Sequence, residues 1–394
     1  MLRRSVERMA ARKSARQYWR SLAWQLAVVA AALLVMAWMA VNAVESLQRQ
    51  HIASGFDFLN ETAGFGILQT SVHYTEESSY GRVLLIGIIN TIIVAVISIV
   101  IATVLGFLIG IGRLSTNWLV SKVCAAYVET LRNIPLLLQI LFWYFGVLEA
   151  LPYPRNSVRV GEGLFILNNR GFYLPLLQSE GGAWLVWGAL TIGVAAALAL
   201  RCWAVRKQMA TGVRPATTGM VFGILLGLPA LALAATGIPF SLNWPHLDGL
   251  NFDGGLHIFP ELAALAVALA TYTAAYIAET VRAGLQSVSR GQREAAAALG
   301  LKPSLAVRLV LIPQAMRVIV PPLASEYLSI TKNSSLAIAI GYPELVSVFA
   351  GTVLNQTGQA IEVITITMGV YLALSLLTSL LMNWYNSAQA MRGE

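Results

Sequence analysis

The chain has 394 residues, of which 57% are hydrophobic and only 12% are charged, and its formal net charge is +8. A soluble globular domain is less apolar than this, so the composition excludes a protein made mostly of soluble domains. The basic residues lie beside apolar runs, as topology signals do, which argues against a nucleic-acid-binding role. Cys124 and Cys202 lie within or beside apolar segments and indicate neither a disulfide framework nor a metal site.

Eight apolar segments are long enough to cross a membrane, which takes about 20 residues. We predict these spans at 22–44, 83–112, 123–151, 183–200, 219–240, 262–283, 318–348 and 362–384. The first is too long for a signal peptide and ends without a clear small-residue cleavage site, so we interpret it as a transmembrane helix. The basic residues before it could also lie on anionic lipid. The third contains Glu129, Arg132 and Pro135, which predict a bent or irregular inner end.

The distribution of Lys and Arg predicts the orientation. The N-terminus, the turn after Arg113 and the segments 201–214 and 282–317 are basic, and all lie on one side if there are eight spans. We therefore predict that both termini are cytoplasmic. The loop 152–182 is an exception, since it carries arginines on the outer side. The predicted organisation begins with a basic cytoplasmic N-terminus (1–21), a first transmembrane helix (22–44) and a periplasmic loop (45–82). A transmembrane domain (83–386) and a short cytoplasmic C-terminus (387–394) follow.

No constellation of catalytic or metal-binding residues is evident. The sequence lacks a phosphate-binding G-x-x-x-x-G-K-[ST] loop, so we do not expect the chain itself to be an ATPase. Its four histidines show no metal-ligand spacing, and we find no serine-centred triad. We therefore expect no catalytic residue and no bound metal or cofactor in this chain.

The seventh span carries a polar stripe. Glu326, Ser329, Ile330 and Asn333 fall at i, i+3, i+4 and i+7, which places them on one helical face. A carboxylate at membrane depth costs roughly 2.5–3.5 kcal/mol on insertion scales and usually faces a partner or a watery cavity. The polar residues here are our predicted substrate-binding residues: Glu326, Ser329, Asn333, Ser334 and Ser335. Glu326 would accept from an α-ammonium, and backbone at a helix break would donate to an α-carboxylate. Alternatively, Glu326 pairs with Lys332 or with another subunit.

Three other charged positions have plainer interpretations. Glu279 and Arg282, near the inner end of the sixth span, are spaced i, i+3, and we predict that they form a local ion pair. The same spacing predicts a local pair between Glu129 and Arg132. Glu344 follows a Gly-Tyr-Pro sequence, and we expect it in an outward-facing loop or re-entrant turn.

The loop between the sixth and seventh spans, at 285–317, contains a short helix pattern. Strong helix formers run from Ser289 to Leu299, Gly300 can end the helix in a left-handed conformation, and Pro303 blocks its continuation. This pattern is also typical of an amphipathic helix lying at the membrane surface.

The same segment resembles the EAA loop of ABC importer membrane subunits, through Glu294-Ala295-Ala296, Gly300 and Ile312-Pro313. Three further stretches resemble polar-amino-acid permeases of the histidine and glutamine type, and they lie at 127–139, 274–284 and 332–336. These four motifs occur in the family's order and span about 87–386.

The resemblance implies an all-α membrane protein with the type I ABC importer permease core, in the bacterial inner membrane. In that family the EAA loop forms a coupling helix that seats in a groove of a cytoplasmic ATPase, so the expected coupling residues are Glu294, Ala295, Ala296, Gly300, Ile312 and Pro313. The expected partners are a second homologous permease subunit in a heterodimer, two ATPase subunits that bind ATP and Mg, and a periplasmic amino-acid-binding protein.

The chain departs from the minimal family member in two ways. That member has five spans, so the first span and the helix pair at 183–240 look added, which resembles the larger Q-type subunit of general L-amino-acid uptake systems. Asn333 stands where many relatives carry Asp, which favours a broad or neutral-to-acidic substrate range. The competing classes are an ion-gradient-driven secondary amino-acid transporter, expected to show inverted repeats, and a scaffold subunit.

Overall fold

The protein is mostly helical. The computed structural model describes residues 20, 22–39, 41–42, 45, 55–161, 163–213 and 215–390. Most of the predicted N-terminal segment and the last four residues of the predicted C-terminal segment lie outside the described residues. The helices are α1 (Leu22–Met39), α2 (Tyr80–Gly112), α3 (Trp118–Asn133), α4 (Leu136–Leu148), α5 (Ala183–Thr211), α6 (Thr218–Thr236), α7 (Pro260–Ser287), α8 (Arg290–Ala298), α9 (Ser304–Ile340), α10 (Val346–Val353, continued by Leu354–Thr357) and α11 (Ala360–Ala390).

The predicted membrane spans are confirmed as apolar helices. Within the described residues, seven helices are long and apolar enough to cross a membrane, and the bent pair α3–α4 makes an eighth. The all-α membrane class with about eight spans therefore holds. The chain divides into two compact units, one formed by the residues up to Thr91 with Pro343–Leu377, and the other by Ile92–Tyr342 with the residues from Thr378 onward.

In the second unit, α7 is the central helix. Most of its middle turns are fully buried, including Leu265, Leu269 and Ile277. Glycines on α2 let that helix approach α7 closely, because a Cβ at Gly110 would lie 2.7 Å from the carbonyl oxygen of Ala278. At 28 residues, α7 is about 42 Å long, so its two ends lie on opposite sides of a bilayer.

The third span is broken at Pro135, as its sequence predicts. Ile134, which precedes the proline, has extended backbone angles, and α3 and α4 meet there at 106°. The Gln139 carboxamide stabilises the break, since its Nε2 donates to the carbonyl oxygens of Leu131 (2.9 Å) and Ile134 (3.0 Å). These carbonyls belong to the end of α3, where helical partners are missing.

Eight short strands in the second unit were not predicted. They are β1 (Val158–Val160), β2 (Phe165–Asn168), β3 (Gly171–Leu174), β4 (Leu176–Ser179), β5 (Phe240–Asn243), β6 (His246–Asp248), β7 (Asn251–Asp253) and β8 (Leu256–Ile258). They form one four-stranded sheet in the order β1-β2-β3-β8 and two two-stranded sheets, β4-β5 and β6-β7, of which only β6-β7 is a hairpin. All pairings are antiparallel, and we call the whole set the β-cap.

The β-cap joins the segments before and after the helix pair α5–α6. Strand β3 pairs with β8 in the register Leu174↔Leu256, and β4 pairs with β5. The two helices pack on each other along a stripe of α5 that includes Val186, Gly193 and Ala197. Their outward faces remain apolar and exposed, as a bilayer requires.

The predicted seventh span was too long at its C-terminal end. The helix ends at Ile340, because Gly341 adopts a left-handed conformation with φ of 75°. Glu344 follows in a turn, as expected. It is fully buried in the first unit, where its carboxylate oxygens accept from the backbone N–H groups of Val346 (2.9 Å) and Ser347 (2.8 Å).

The hydroxyl of Tyr371 also donates to Glu344, at 3.0 Å. Glu344 thus satisfies two backbone N–H groups in the first turn of α10. Burial nevertheless raises the pKa of Glu344 to about 7, against the opposing effect of its three hydrogen bonds.

Candidate functional site: a surface helix and a polar cavity

The short helix predicted in the loop between the sixth and seventh spans is α8. It ends at Gly300, which has φ of 70°. The N–H of Gly300 donates to the carbonyl of Ala297 (2.9 Å), and the N–H of Leu301 donates to that of Ala296 (3.1 Å). This pair of bonds is the Schellman motif, in which a left-handed glycine satisfies the last carbonyls of a helix. Gly300 therefore fixes the end of α8 and the direction in which the chain leaves it.

One face of α8 lies against the protein and the rest of it is free. Ala296 is buried, whereas Glu294 and Ala295 are exposed. Leu299, at the end of the helix, is 80% exposed, which is high for a large apolar side chain outside the membrane spans. The helix α8 is thus held against the protein on one face, and its other face and its terminal leucine are exposed.

The last predicted coupling residues, Ile312 and Pro313, lie on α9. Residues Val307–Leu311 form a π-helical turn, and the regular α-helix resumes at Ile312 with Pro313 in its first turn. Proline has no N–H to donate, so Pro313 fits the first turn of the resumed α-helix, where no such bond is needed. Ile312 is 44% exposed. The structure therefore places Ile312 and Pro313 at an irregular helix junction rather than in the loop itself.

The predicted substrate-binding residues lie on α9 but do not form one continuous face. Glu326 and Asn333 are half-buried, Ser329 is exposed, and Ile330 between them is fully buried in the apolar core. The hydroxyl of Ser334 donates to the carbonyl of Thr331 and that of Ser335 to the carbonyl of Lys332, both at 2.8 Å. Both serines thus donate within their own helix. Ser334 is also fully buried, so its predicted substrate contact is not supported, whereas Ser335 is half-buried and its oxygen can still accept.

A polar cavity of about 430 Å³ lies between α2, α3 and α7. Its lining is mostly charged or polar: Arg113, Val128, Glu129, Arg132, Asn133, Tyr276 and Glu279. The sequence analysis did not place these residues together, because they come from three helices that are distant in the chain. The volume lies within the range of small-molecule sites.

One wall of this cavity is an ion-pair network. Glu279 pairs with Arg282, as its spacing predicts, and also with Arg113 at the end of α2, which was not expected. Arg282 also donates to Gln286 at 2.7 Å. Two guanidinium groups thus share one carboxylate, and this network ties α2 to α7.

The part of the lining around Arg132 differs from the prediction. Within the described residues, Arg132 does not form the expected ion pair with Glu129, and its guanidinium lies over the ring of Tyr276 at 4.9 Å from the centroid. Tyr276 is hydrogen-bonded to Tyr272 through their hydroxyls at 3.0 Å. Glu326 does not pair with Lys332 there either; it interacts electrostatically with Arg132 instead. The i, i+3 spacing of Glu129 and Arg132 was thus misleading, because α3 packs on α7 and Arg132 there lies over Tyr276.

A polytopic helical protein with a free surface helix between two spans and a polar cavity among its helices has the architecture of a membrane transport permease. The chain belongs to the family of binding-protein-dependent transport system inner membrane components, whose family model matches residues 102–390. This confirms the resemblance drawn from the four sequence motifs.

Two amino-acid permeases are similar to this chain over almost its whole length. The general L-amino acid transport system permease protein AapQ of Rhizobium johnstonii is 48% identical over 373 residues, which cover 95% of this chain and 93% of AapQ. The putative amino-acid ABC transporter permease protein YhdX of Escherichia coli is 49% identical over 367 residues, 93% of each chain. A solved structure of an amino acid ABC transporter with histidines aligns at 21% identity and a TM-score of 0.47, over 78% of this chain and 95% of that one.

Proposed function

We propose that this chain is the membrane-spanning permease subunit of an ATP-driven importer of L-amino acids in the bacterial inner membrane. The full-length similarity to AapQ and YhdX supports the substrate class, because it includes the added helices as well as the permease core. The broad or neutral-to-acidic preference rests on Asn333, which offers no carboxylate to a cationic side chain.

The coupling role rests on α8, and its geometry is the observation that carries the proposal. A helix that is closed by a Schellman turn at Gly300, and that presents Glu294, Ala295 and Leu299 to solvent, can seat in a groove of a partner. Ala296 anchors it to the permease, while Ile312 and Pro313 lie where the following helix begins. When the ATPase pair closes on ATP, movement of α8 would be passed to α9 through this junction.

The partners follow from that role. Two ATPase subunits would bind ATP and Mg and dock on the coupling helices, and a second homologous permease would complete the pore as a heterodimer. A periplasmic amino-acid-binding protein would deliver the substrate. Substrate would contact α9 through Glu326, Ser329 and Asn333, and through the accepting oxygen of Ser335.

A gentle detergent pull-down of the tagged chain from its native membrane, followed by mass spectrometry, tests this assembly. We expect a P-loop ATPase and a second permease to be recovered with it. ATP-dependent amino-acid uptake by the recovered complex in proteoliposomes, with the binding protein added, completes the test. Recovery of the chain alone, with uptake driven by a proton or sodium gradient, would contradict the proposal and support a secondary transporter.

A further inference from the structure

The four-stranded sheet of the β-cap has one covered face, and that face carries its polar side chains. Paired residues of neighbouring antiparallel strands lie on the same face of a sheet, and successive residues of a strand lie on opposite faces. The registers Ile166↔Tyr173 and Tyr173↔His257 therefore define one face, on which Arg159 also lies. Ile166 and Tyr173 are buried there, and the ring of Phe252 on β7 packs on Tyr173 with 5.2 Å between the ring centroids.

The other face of this sheet is entirely apolar, although much of it is exposed. Val158, Val160 and Phe165, on β1 and β2, are 46%, 58% and 53% exposed. A sheet that borders water normally shows the opposite arrangement, with its apolar face packed and its polar face outside. A contiguous apolar surface of this kind marks a contact with a partner or a membrane. We call it the open face, and its residues are Val158, Val160, Phe165, Leu167, Phe172, Leu174, Leu256 and Ile258.

The open face is directed at the membrane helices. Its residues Phe172 and Ile258 pack against the apolar core that includes Leu148 of α4 and Leu262 of α7. Because α7 begins at Pro260 and runs into the bilayer from there, the sheet lies over the helix ends on the side of the membrane opposite to α8. The open face therefore points toward the bilayer, and its exposed residues on β1 and β2 are not covered by these helices.

The neighbouring strands connect this sheet to a lipid-facing helix. Leu176 and Leu177 of β4, which follows β3 directly, are exposed, and β4 pairs with β5. The ring of Phe240 on β5 lies 6.1 Å from that of Trp187 on α5, and Trp184 one turn earlier is 72% exposed. Tryptophans at the end of a span are typical of the membrane interface. The β-cap thus adjoins the interfacial end of a span whose outward face meets lipid, which favours lipid over a protein partner.

The charge of the same segment fits a phosphate layer. Residues 152–174 include Arg155, Arg159 and Arg170 but a single acidic residue, Glu162, and this loop is the exception to the positive-inside distribution. Arg155 precedes β1 and Arg170 lies between β2 and β3, and both are exposed. Guanidinium groups bind phosphates well, and basic residues beside an apolar face are the composition of elements that lie on a membrane surface.

We propose that the open face of the β-cap rests on the bilayer, with the side chains of β1 and β2 in contact with lipid. The partner of this surface is the lipid leaflet on the side opposite to α8, and the contact holds the segment between α4 and α7 at a fixed depth. The inference concerns how the chain lies in its membrane, and it does not depend on what is transported.

Spin labels on β1 test this contact in the purified complex, reconstituted in liposomes of phosphatidylethanolamine and phosphatidylglycerol. Single cysteines are introduced as Val158→Cys, Arg159→Cys and Val160→Cys in a chain that carries Cys124→Ser and Cys202→Ser. Power-saturation EPR then measures how often each nitroxide collides with O2, which concentrates in lipid, and with nickel(II) ethylenediaminediacetate, which stays in water. We expect the ratio of the two rates to alternate, and to be several-fold higher at the two valine positions than at Arg159→Cys.

Two further labels calibrate this ratio. Leu226→Cys lies at an exposed position within the span α6 and should give the high ratio of a lipid contact. Asp248→Cys should give the low ratio of a residue in water, because the register Leu247↔Phe252 places Asp248 on the side of its hairpin that faces away from the sheet.

A ratio at Val158→Cys and Val160→Cys as low as that at Asp248→Cys would place the open face in water and overturn the proposal. Low collision rates with both reagents, together with an immobilised spectrum, would show that a protein such as a second permease covers this face, and would overturn it as well. If the variants on β1 do not fold, Phe165→Cys on β2 tests the same face with the same expected ratio.

Discussion

Gly106 on α2 lies directly against Ile277 on α7: a Cβ added at Gly106 would be 2.5 Å from Cγ2 of the isoleucine. Gly110, one turn further on, meets Ala278 and Val281 in the same way. Two glycines at i, i+4 thus let these helices pack with their backbones close together, as small residues do in membrane proteins.

Gly106→Leu should therefore destabilise the protein by about 1–3 kcal/mol or more, because the added side chain has no space to enter. Thermal unfolding of the detergent-solubilised chain measures this as a lowered Tm. Gly223→Leu is a matched control on α6, where nothing lies within 4 Å of the added Cβ, and it should leave the Tm nearly unchanged. Equal stability of the two variants would contradict close packing of α2 on α7.

Gly300→Val should uncouple ATP hydrolysis from uptake while leaving membrane insertion intact. A β-branched residue is strained at φ of 70°, so the Schellman turn would be lost and α8 would end differently. The measurement is amino acids imported per ATP hydrolysed in proteoliposomes, which we expect to fall by about ten-fold, in line with the strain of a left-handed β-branched residue. Gly291→Val is the control, because this position in α8 has room for the side chain and the variant should retain coupling. Normal uptake per ATP by Gly300→Val would refute the role of the turn at Gly300.

Leu299→Asp should weaken docking of the ATPase without destabilising the permease. The leucine is 80% exposed, so its replacement removes little packing within this chain, whereas a partner groove would lose an apolar contact and gain a charge. We expect recovery of the ATPase in a pull-down to fall about ten-fold or more. Leu250→Asp changes a comparably exposed leucine in the β-cap and should recover the ATPase fully. Similar losses in both variants would argue against a specific contact.

The stability of the protein should fall as the pH rises from 5 to 8. Burial raises the pKa of Glu344 from 4.5 to about 7, so the folded state holds a proton that the unfolded state has released within this window. Stability from this group is therefore complete below pH 4.5 and is lost as the pH passes 7, by on the order of 3 kcal/mol. The Tm measured against pH checks this. Glu344→Gln should flatten the dependence of the Tm on pH, whereas Glu77→Gln, at an exposed position, should not. If the Tm of Glu344→Gln depends on pH as steeply as that of the wild type, another group causes the dependence.

The parts of the fold that the sequence predicted correctly depend on local patterns. An apolar window defines a span by itself, a glycine after a run of helix formers defines the end of α8, and Pro135 marks the break in the third span. The Glu279–Arg282 pair was likewise predictable from spacing within one helix.

The missing parts depend on contacts between distant segments. The β-cap pairs strands that lie on either side of α5–α6, and its strands are only three or four residues long, too short for alternation to be informative. Arg132 and Tyr276 meet only because α3 packs on α7, and Arg113 joins Glu279 for the same reason. The end of α9 is the exception: Gly341 defines it locally, although the apolar run continues to Val348.

The pairing of Leu174 with Leu256 has a consequence for how this chain could have arisen. Paired residues of antiparallel strands lie about 5 Å apart, so the chain enters and leaves the segment between them at almost the same point. A tight turn could replace everything between these two residues without moving α4 or α7. The helix pair α5–α6 can therefore be gained or lost in one genetic step, as a self-contained insert between α4 and α7.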